Sequence, residues 1–187
     1  MKQTYSVLVQ DTPGSLNRIV NQFRKRNINI ESLAVGPCEK QGISRVTIVA
    51  KDIKPDRRDF FAQSLNNLVD VIEVENVSDK SHIVRENVLV KMDPPPQKSK
   101  DIGQLAHRHH ARILQNGSSS LVVEAIGSPK EMDQLVEDLK PFNVLKLVRS
   151  GSLAISRQGE KEPSSQTISK RSQDLTWVTQ QLNDYLS

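Results

Sequence analysis

The chain has 187 residues, of which 36% are apolar and 26% charged, and its 26 basic against 22 acidic residues leave a formal net charge of +4. That length suits two domains of about 75–80 residues plus a tail, and its longest apolar runs, such as Leu121–Val123, are a few residues where a membrane-crossing helix needs about 20. A single cysteine, Cys38, excludes a disulfide framework and a multi-cysteine zinc site, and charge spread evenly along the chain lacks the concentrated Lys and Arg of a nucleic-acid footprint.

Thr4–Val9 reads as a strand, stopped by the turn formers in Asp11-Thr12-Pro13-Gly14. Leu16, Ile19, Val20 and Phe23 then recur at i, i+3, i+4 and i+7, one apolar stripe of a helix. Residues 28–36 return to strand character, a turn around Glu39–Gly42 follows, and Ile43–Lys51 is a second β-branched run. Pro55 opens another predicted helix with Phe61, Leu65 and Leu68 on one side, and Val71–Val77 is a fourth strand. The order is β-α-β-β-α-β, and it recurs more loosely. Val84–Met92 reads as a strand stopped by Asp93-Pro94-Pro95-Pro96, with a helix expected over about 99–112. Leu121–Ile126 is a strand. Ser128-Pro129-Lys130-Glu131 has the form of a capping box with proline at the first helical position, ahead of the stripe Met132, Leu135, Val136, Leu139. Val144–Val148 and Leu153–Ile155 are strands on either side of Ser150-Gly151.

Two such units imply an α+β fold of two tandem ferredoxin-like βαββαβ domains, 1–78 and 79–157, each an antiparallel sheet with helices on one face. Residues 158–187 are expected to be a polar linker and a short helix with Leu175, Val178, Leu182 and Leu186 on one side. The start of the chain enters a strand pattern directly, without a secretory or transit signal, so a cytoplasmic setting is expected.

Asp11–Leu16 is the most informative segment. Gly14 stands where a strand ends and a helix begins, so helical N–H groups point outward and favour an anion, and the missing side chain allows close approach. A carboxylate suits that place. An amino acid also brings an ammonium group, for which the side-chain oxygens of Asp11 and Asn29 are candidate acceptors. Taken on residues alone, an ordinary turn with a solvated Asn29 accounts for the same pattern. The sequence has no G-x-S-x-G, no phosphate-cradling G-x-x-x-x-G-K and no H-E-x-x-H. His107, His109 and His110 form the one suggestive cluster. On a continuous helix 107 and 110 share a face while 109 points elsewhere, so a solvated or core-edge role is the expectation rather than a metal site. Cys38 beside Pro37 has no evident base and reads as a bystander thiol. RNA-recognition modules share the β-α-β-β-α-β order but stack bases on sheet aromatics, and Tyr5 is the one aromatic on the strands.

The run Ser6–Val9 leading to Pro13-Gly14-Ser15-Leu16-Asn17-Arg18-Ile19 resembles the start of an ACT domain, an amino-acid-sensing module. The stretch Asn27–Gly36 resembles the N-I-E-S-L stretch of the acetohydroxyacid (acetolactate) synthase small subunit. Leu68–Val71, Arg85–Lys91, Ser120–Glu124 and Val148–Gly151 with Ile155–Arg157 are similar to that family too. The resemblance covers about residues 3–157 and implies a non-catalytic regulatory subunit of branched-chain amino acid biosynthesis. It further implies a homodimer through ACT domains, and activation of a catalytic large subunit together with feedback inhibition by valine or a related amino acid. No cofactor is implied for this chain; thiamine diphosphate, magnesium and FAD would belong to the large subunit. The family's effector site falls on Asp11, Gly14, Ser15, Leu16, Asn29 and Ile30. Position 11, often asparagine in the family, is aspartate here, which keeps an acceptor and adds a charge. The expected setting is the cytoplasm, or the plastid stroma if the protein is plastid-encoded. A free-standing ACT sensor controlling another enzyme or transcription is the alternative, though no helix-turn-helix pattern is present.

Overall fold

The computed structural model describes residues 2–51, 53–79, 81–116 and 120–157. The chain divides into two compact units, one built on the residues up to Glu31 and on Val35–His82, the other on Ile83–Ile155 with Ser32–Ala34 grouped to it.

The first unit runs β1 (Gln3–Gln10), α1 (Ser15–Lys25), β2 (Ile30–Pro37), β3 (Ile43–Ala50), α2 (Arg58–Asn66) and β4 (Val71–Asn76). Its sheet has the strand order β2-β3-β1-β4, with β1 antiparallel to both of its neighbours. Alternation on β1 turns Tyr5, Val7 and Val9 to one face, where the register sets Tyr5 opposite Ile48 and Val7 opposite Val46. Ile19 and Phe23 of α1 and Phe61 and Leu65 of α2 complete this core, all of them 2% exposed or less. The Phe61 ring meets Tyr5 and Phe23 edge-on, with centroids 5.6 and 4.8 Å apart. Such pairs add about 0.5–1.5 kcal/mol beyond the buried area.

Two expectations for this unit need adjusting. Leu16 belongs to the apolar stripe of α1 by spacing but remains 38% exposed, because it sits in the first turn, beside the loop rather than over the sheet. Pro55 opens a 3-10 turn, Pro55–Arg57, and the α-helix begins at Arg58. Leu68 lies past its end.

The second unit runs β5 (His82–Met92), α3 (Ser99–Arg108), β6 (Arg112–Asn116), β7 (Leu121–Gly127), α4 (Pro129–Leu139), β8 (Val144–Arg149) and β9 (Leu153–Ser156). The strand order β6-β7-β5-β8 repeats that of the first unit, and β9 adds to β5. Val88, Val90, Met92, Leu121 and Val123 pack against Ile102, Met132, Leu135 and Leu139. Arg149 on β8 reaches the carboxylate of Glu86 through two bonds, 2.8 and 2.7 Å, and Asp133 on α4 at 2.7 Å. The bonds to Glu86, with lesser support from Asp133, hold the guanidinium above its ordinary range despite partial desolvation.

The helix expected over 99–112 is shorter. It ends at Arg108, His110 takes a left-handed conformation (φ +51°), and Arg112–Asn116 is strand β6. This five-residue strand is too short for its alternation to stand out, and a histidine rather than a glycine makes the left-handed turn. The histidines therefore do not share a continuous helix. His109 caps α3 and its Nε2 lies 2.8 Å from Asp138 Oδ2 on α4. The expected linker and short helix of the tail lie outside the described residues.

The capping box at α4 is complete. Ser128 N–H donates to the Glu131 carboxylate (2.7 Å), and Glu131 N–H donates to Ser128 Oγ (3.3 Å). Gly127 just before it is closely approached by the helix, and a Cβ there would stand 2.7 Å from Met132 Cε, so that side chain would have to move. The Ser128 backbone N–H, then its side chain, hold the Glu131 carboxyl below its ordinary 4.5. With its folded pKa depressed, Glu131 contributes stability above pH 4.5, and this is lost as pH falls through the folded value. Ser128→Ala is expected to cost about 1 kcal/mol in urea unfolding at pH 7. The difference between wild type and Glu131→Ala is expected to narrow on acidification.

Candidate functional site

The loop from β1 to α1 is fixed by backbone bonds. Gln10 N–H donates to Asp70 O and Asp11 N–H to Gly42 O, each at 2.9 Å. Thr12 N–H returns to Gln10 O, Ser15 N–H donates to Thr12 O at 3.2 Å, and the Thr12 and Ser15 hydroxyls are 2.7 Å apart. Gly14 is the N-cap of α1 with φ +88°, no side chain caps the helix, and no acidic residue stands in its first turn. The positive end of the helix dipole is thus left without a neutralising side chain at Gly14. A Cβ at Gly14 would be both strained and 3.2 Å from Arg18 Nη1.

Arg18 and Asp70 are additions that spacing did not reveal. The Arg18 guanidinium forms an ion pair with the Asp70 carboxylate, which is only 10% exposed. The pair ties the first turns of α1 to the start of β4. The two residues are 52 positions apart, so no local pattern signals them. Asp11 and Leu16 are exposed on the rim of this loop, and Ser15 is buried beneath it.

The other half of the expected site lies past the far end of α1. Arg26 ends the helix and Asn27 follows with φ +54°. Asn27 N–H donates to Arg24 O (3.1 Å) and Ile28 N–H to Phe23 O (3.0 Å). That is a Schellman ending with asparagine where glycine is usual. Asn29 is exposed, and its carbonyl accepts from Lys51 N–H at 2.9 Å. Ile30 opens β2, followed by Glu31, whose carboxylate meets Lys2 at 2.5 Å and Lys51 at 3.2 Å. Desolvation pushes the Glu31 carboxyl up, but the two ammonium groups outweigh it and hold the pKa below its ordinary value. A groove of about 450 Å³ runs here, lined by Val20, Phe23, Ile28, Asn29 and Ile30 among others.

The 11 residues of α1 make a rod of about 16 Å. The structure therefore gathers Asp11, Gly14, Ser15 and Leu16 at one end of α1 and Asn29 and Ile30 at the other, and does not bring the two groups together within one chain. Among the described residues no group of three His, Cys, Asp or Glu is placed to hold a metal. Cys38 is half-buried against Leu8, Ile43 and Ile72.

A family model described as an AHAS small subunit-like ACT domain matches residues 5–73, and one described as the small subunit of acetolactate synthase matches 85–158. The acetolactate synthase small subunit of Bacillus subtilis is 32% identical over 170 residues, covering 90% of this chain and 99% of that protein. The Mycobacterium leprae small subunit is 36% identical over 154 residues, covering 82% and 90% respectively. The crystal structure of the acetolactate synthase small subunit from Thermotoga maritima superposes with a TM-score of 0.76 at 24% identity, covering 86% of this chain and 99% of that one. At that identity it bears on the fold.

The left-handed residue between the two halves gives a local test. Asn27→Ala is expected to cost about 1 kcal/mol in thermal or urea unfolding, whereas Asn27→Gly is expected to be neutral within a few tenths. Equal losses from both substitutions would contradict the assigned backbone.

Proposed function

The chain belongs to the family of acetolactate synthase small subunits, and we propose that it acts as the non-catalytic regulatory subunit. In this reading it activates a catalytic large subunit dependent on thiamine diphosphate, and makes that subunit sensitive to valine or a related branched-chain amino acid. The observation that supports the effector reading most directly is the divided site, because its two halves have complementary chemistry. The uncapped N-terminus of α1 at Gly14 suits a carboxylate. The Asp11 carboxylate and the Asn29 side-chain oxygen suit an ammonium group, while the exposed Leu16 and half-buried Ile30 suit a branched apolar side chain.

The topology supplies a way to close the site. Strand β2 is an edge in the strand order of its own sheet, and we take it as the strand along which a second chain would add. β3 runs antiparallel to β1, and the tight turn after β2, closed by Cys38 N–H to Ile43 O (3.1 Å), reverses direction again. β1 and β2 therefore point the same way, and both end on the side where Gly14 lies. Pairing two β2 edges antiparallel about a two-fold axis puts the start of one β2 beside the end of the other. Asn29 and Ile30 of a second copy then arrive on the side of Gly14. We therefore place one effector site at each end of the paired strands, built from Asp11, Gly14, Ser15 and Leu16 of one copy and Asn29 and Ile30 of the other.

The purified chain is expected to leave pyruvate unchanged, to raise the activity of its cognate large subunit, and to make that activity fall with valine. Turnover of pyruvate by the chain alone, or no effect on the large subunit, would refute the regulatory reading. For the shared site, Gly14→Asp is expected to abolish valine binding by setting a carboxylate in the anion position, and Asn29→Ala to weaken it. A mixed dimer of Gly14→Asp and Asn29→Ala chains is expected to bind valine at half the wild-type stoichiometry, because one of its two sites is intact. A mixed dimer in which no site keeps the wild-type affinity would assign each site to a single chain.

A further inference from the structure

A second groove, of about 340 Å³, opens on the helix side of the first unit. Its floor is apolar: Ile53 and Phe61 are buried at 4% and 2% exposure, and Ile28 is half-buried. Its rim is cationic, with Arg26, Lys54 and Arg57 lining it and no acidic side chain among the lining residues. Asp56 and Asp59 are exposed on the neighbouring turns but do not line the groove. No ion pair joins Lys54 or Arg57 to a carboxylate among the described residues. Arg26 is set in place by its bond to Gln22 Oε1 and by its position 5.7 Å from the centre of the Phe61 ring.

Phe60 also lines this groove, and it is 69% exposed. The other described aromatic residues, Tyr5, Phe23, Phe61 and Phe142, are all buried. A ring held in water beside two arginines and a lysine is the composition of an interface anchor, where aromatic residues and arginine concentrate. The charge selects the partner: the complementary surface is acidic and supplies an apolar side chain to the floor.

The groove also adjoins the effector groove. Asn27 and Ile28, the left-handed residue and the one after it, line both. A body seated on one groove thus touches the segment that leads directly to Asn29.

We infer that this cationic groove, with Phe60 on its rim, is a docking surface for an acidic segment of the catalytic large subunit that carries an apolar anchor. The inference rests on the regulatory reading above, which supplies the partner; the groove supplies the chemistry and the place. Large-subunit docking and effector binding then bear on the same two residues, Asn27 and Ile28.

The test compares full-length wild type, Phe60→Ala and the double variant Lys54→Glu/Arg57→Glu for affinity to the cognate large subunit, with thermal unfolding of each chain alone. All three substituted side chains are exposed, so the unfolding temperature is expected to stay near that of wild type. Each variant is expected to bind the large subunit at least about tenfold more weakly. Added salt is expected to weaken wild type more than the charge-reversed chain. If either variant folds and binds within twofold of wild type, the docking surface is wrong while the regulatory reading stands. If wild type itself does not bind the large subunit, both fall. Should Phe60→Ala lose stability, Phe60→Ser and the charge pair, which leaves the ring in place, decide the matter on the same affinity criterion.

Discussion

Helix α1 is a rod of about 16 Å that one chain cannot fold around a single amino acid. The shared effector site proposed for this protein depends on that length. The rod is well fixed at both ends. At its start, backbone bonds and the Arg18–Asp70 pair hold the loop, leaving Gly14 open. At its end, Asn27 turns left-handed and the chain closes back onto Phe23 and Arg24. Neither end has slack to approach the other. A site that uses both ends must take them from two molecules, and the proposal has the second molecule add along β2, the edge in its sheet's strand order.

From this division follows a form of regulation. A ligand that bridges two chains stabilises their pairing by mass action, in proportion to its differential affinity for the paired state. In the proposed site the same ligand would touch the segment around Asn29, and residues 27 and 28 just before it line the cationic groove. The signal thus has only a short path to travel, across one helix ending, before reaching the surface assigned to the large subunit. The second unit shares the strand order of the first, but its histidines do not gather into a ligand set: His109 is engaged with Asp138.

Sequence periodicity was sufficient for the core because the core is built from regular elements. Ile19, Phe23, Phe61 and Leu65 are buried where the helical spacing puts them, and the Ser128–Glu131 box forms as its residue types dictate. Periodicity misled where an element was short or marked by an unusual residue. β6 has five residues and follows a left-handed histidine, so it was absorbed into the preceding helix. Leu16 fits the stripe yet stays exposed, since spacing around a helix does not say where along the axis the sheet ends. For the candidate site, residue types and a family resemblance nominate Asp11, Gly14 and Asn29. The Arg18–Asp70 pair was not legible, because it is a contact between residues 52 positions apart. The spacing assigns Phe61 to the core and leaves Phe60 outward, but it does not show the cationic side chains that line a groove beside that exposed ring.

The central claim is that the effector needs two chains, and its most direct test is valine affinity measured by calorimetry across the concentration range in which the dimer dissociates, with sedimentation run in parallel. The account predicts that binding disappears as monomer accumulates, and that saturating valine shifts dissociation to lower chain concentration. Monomer that binds valine as tightly as dimer would contradict it.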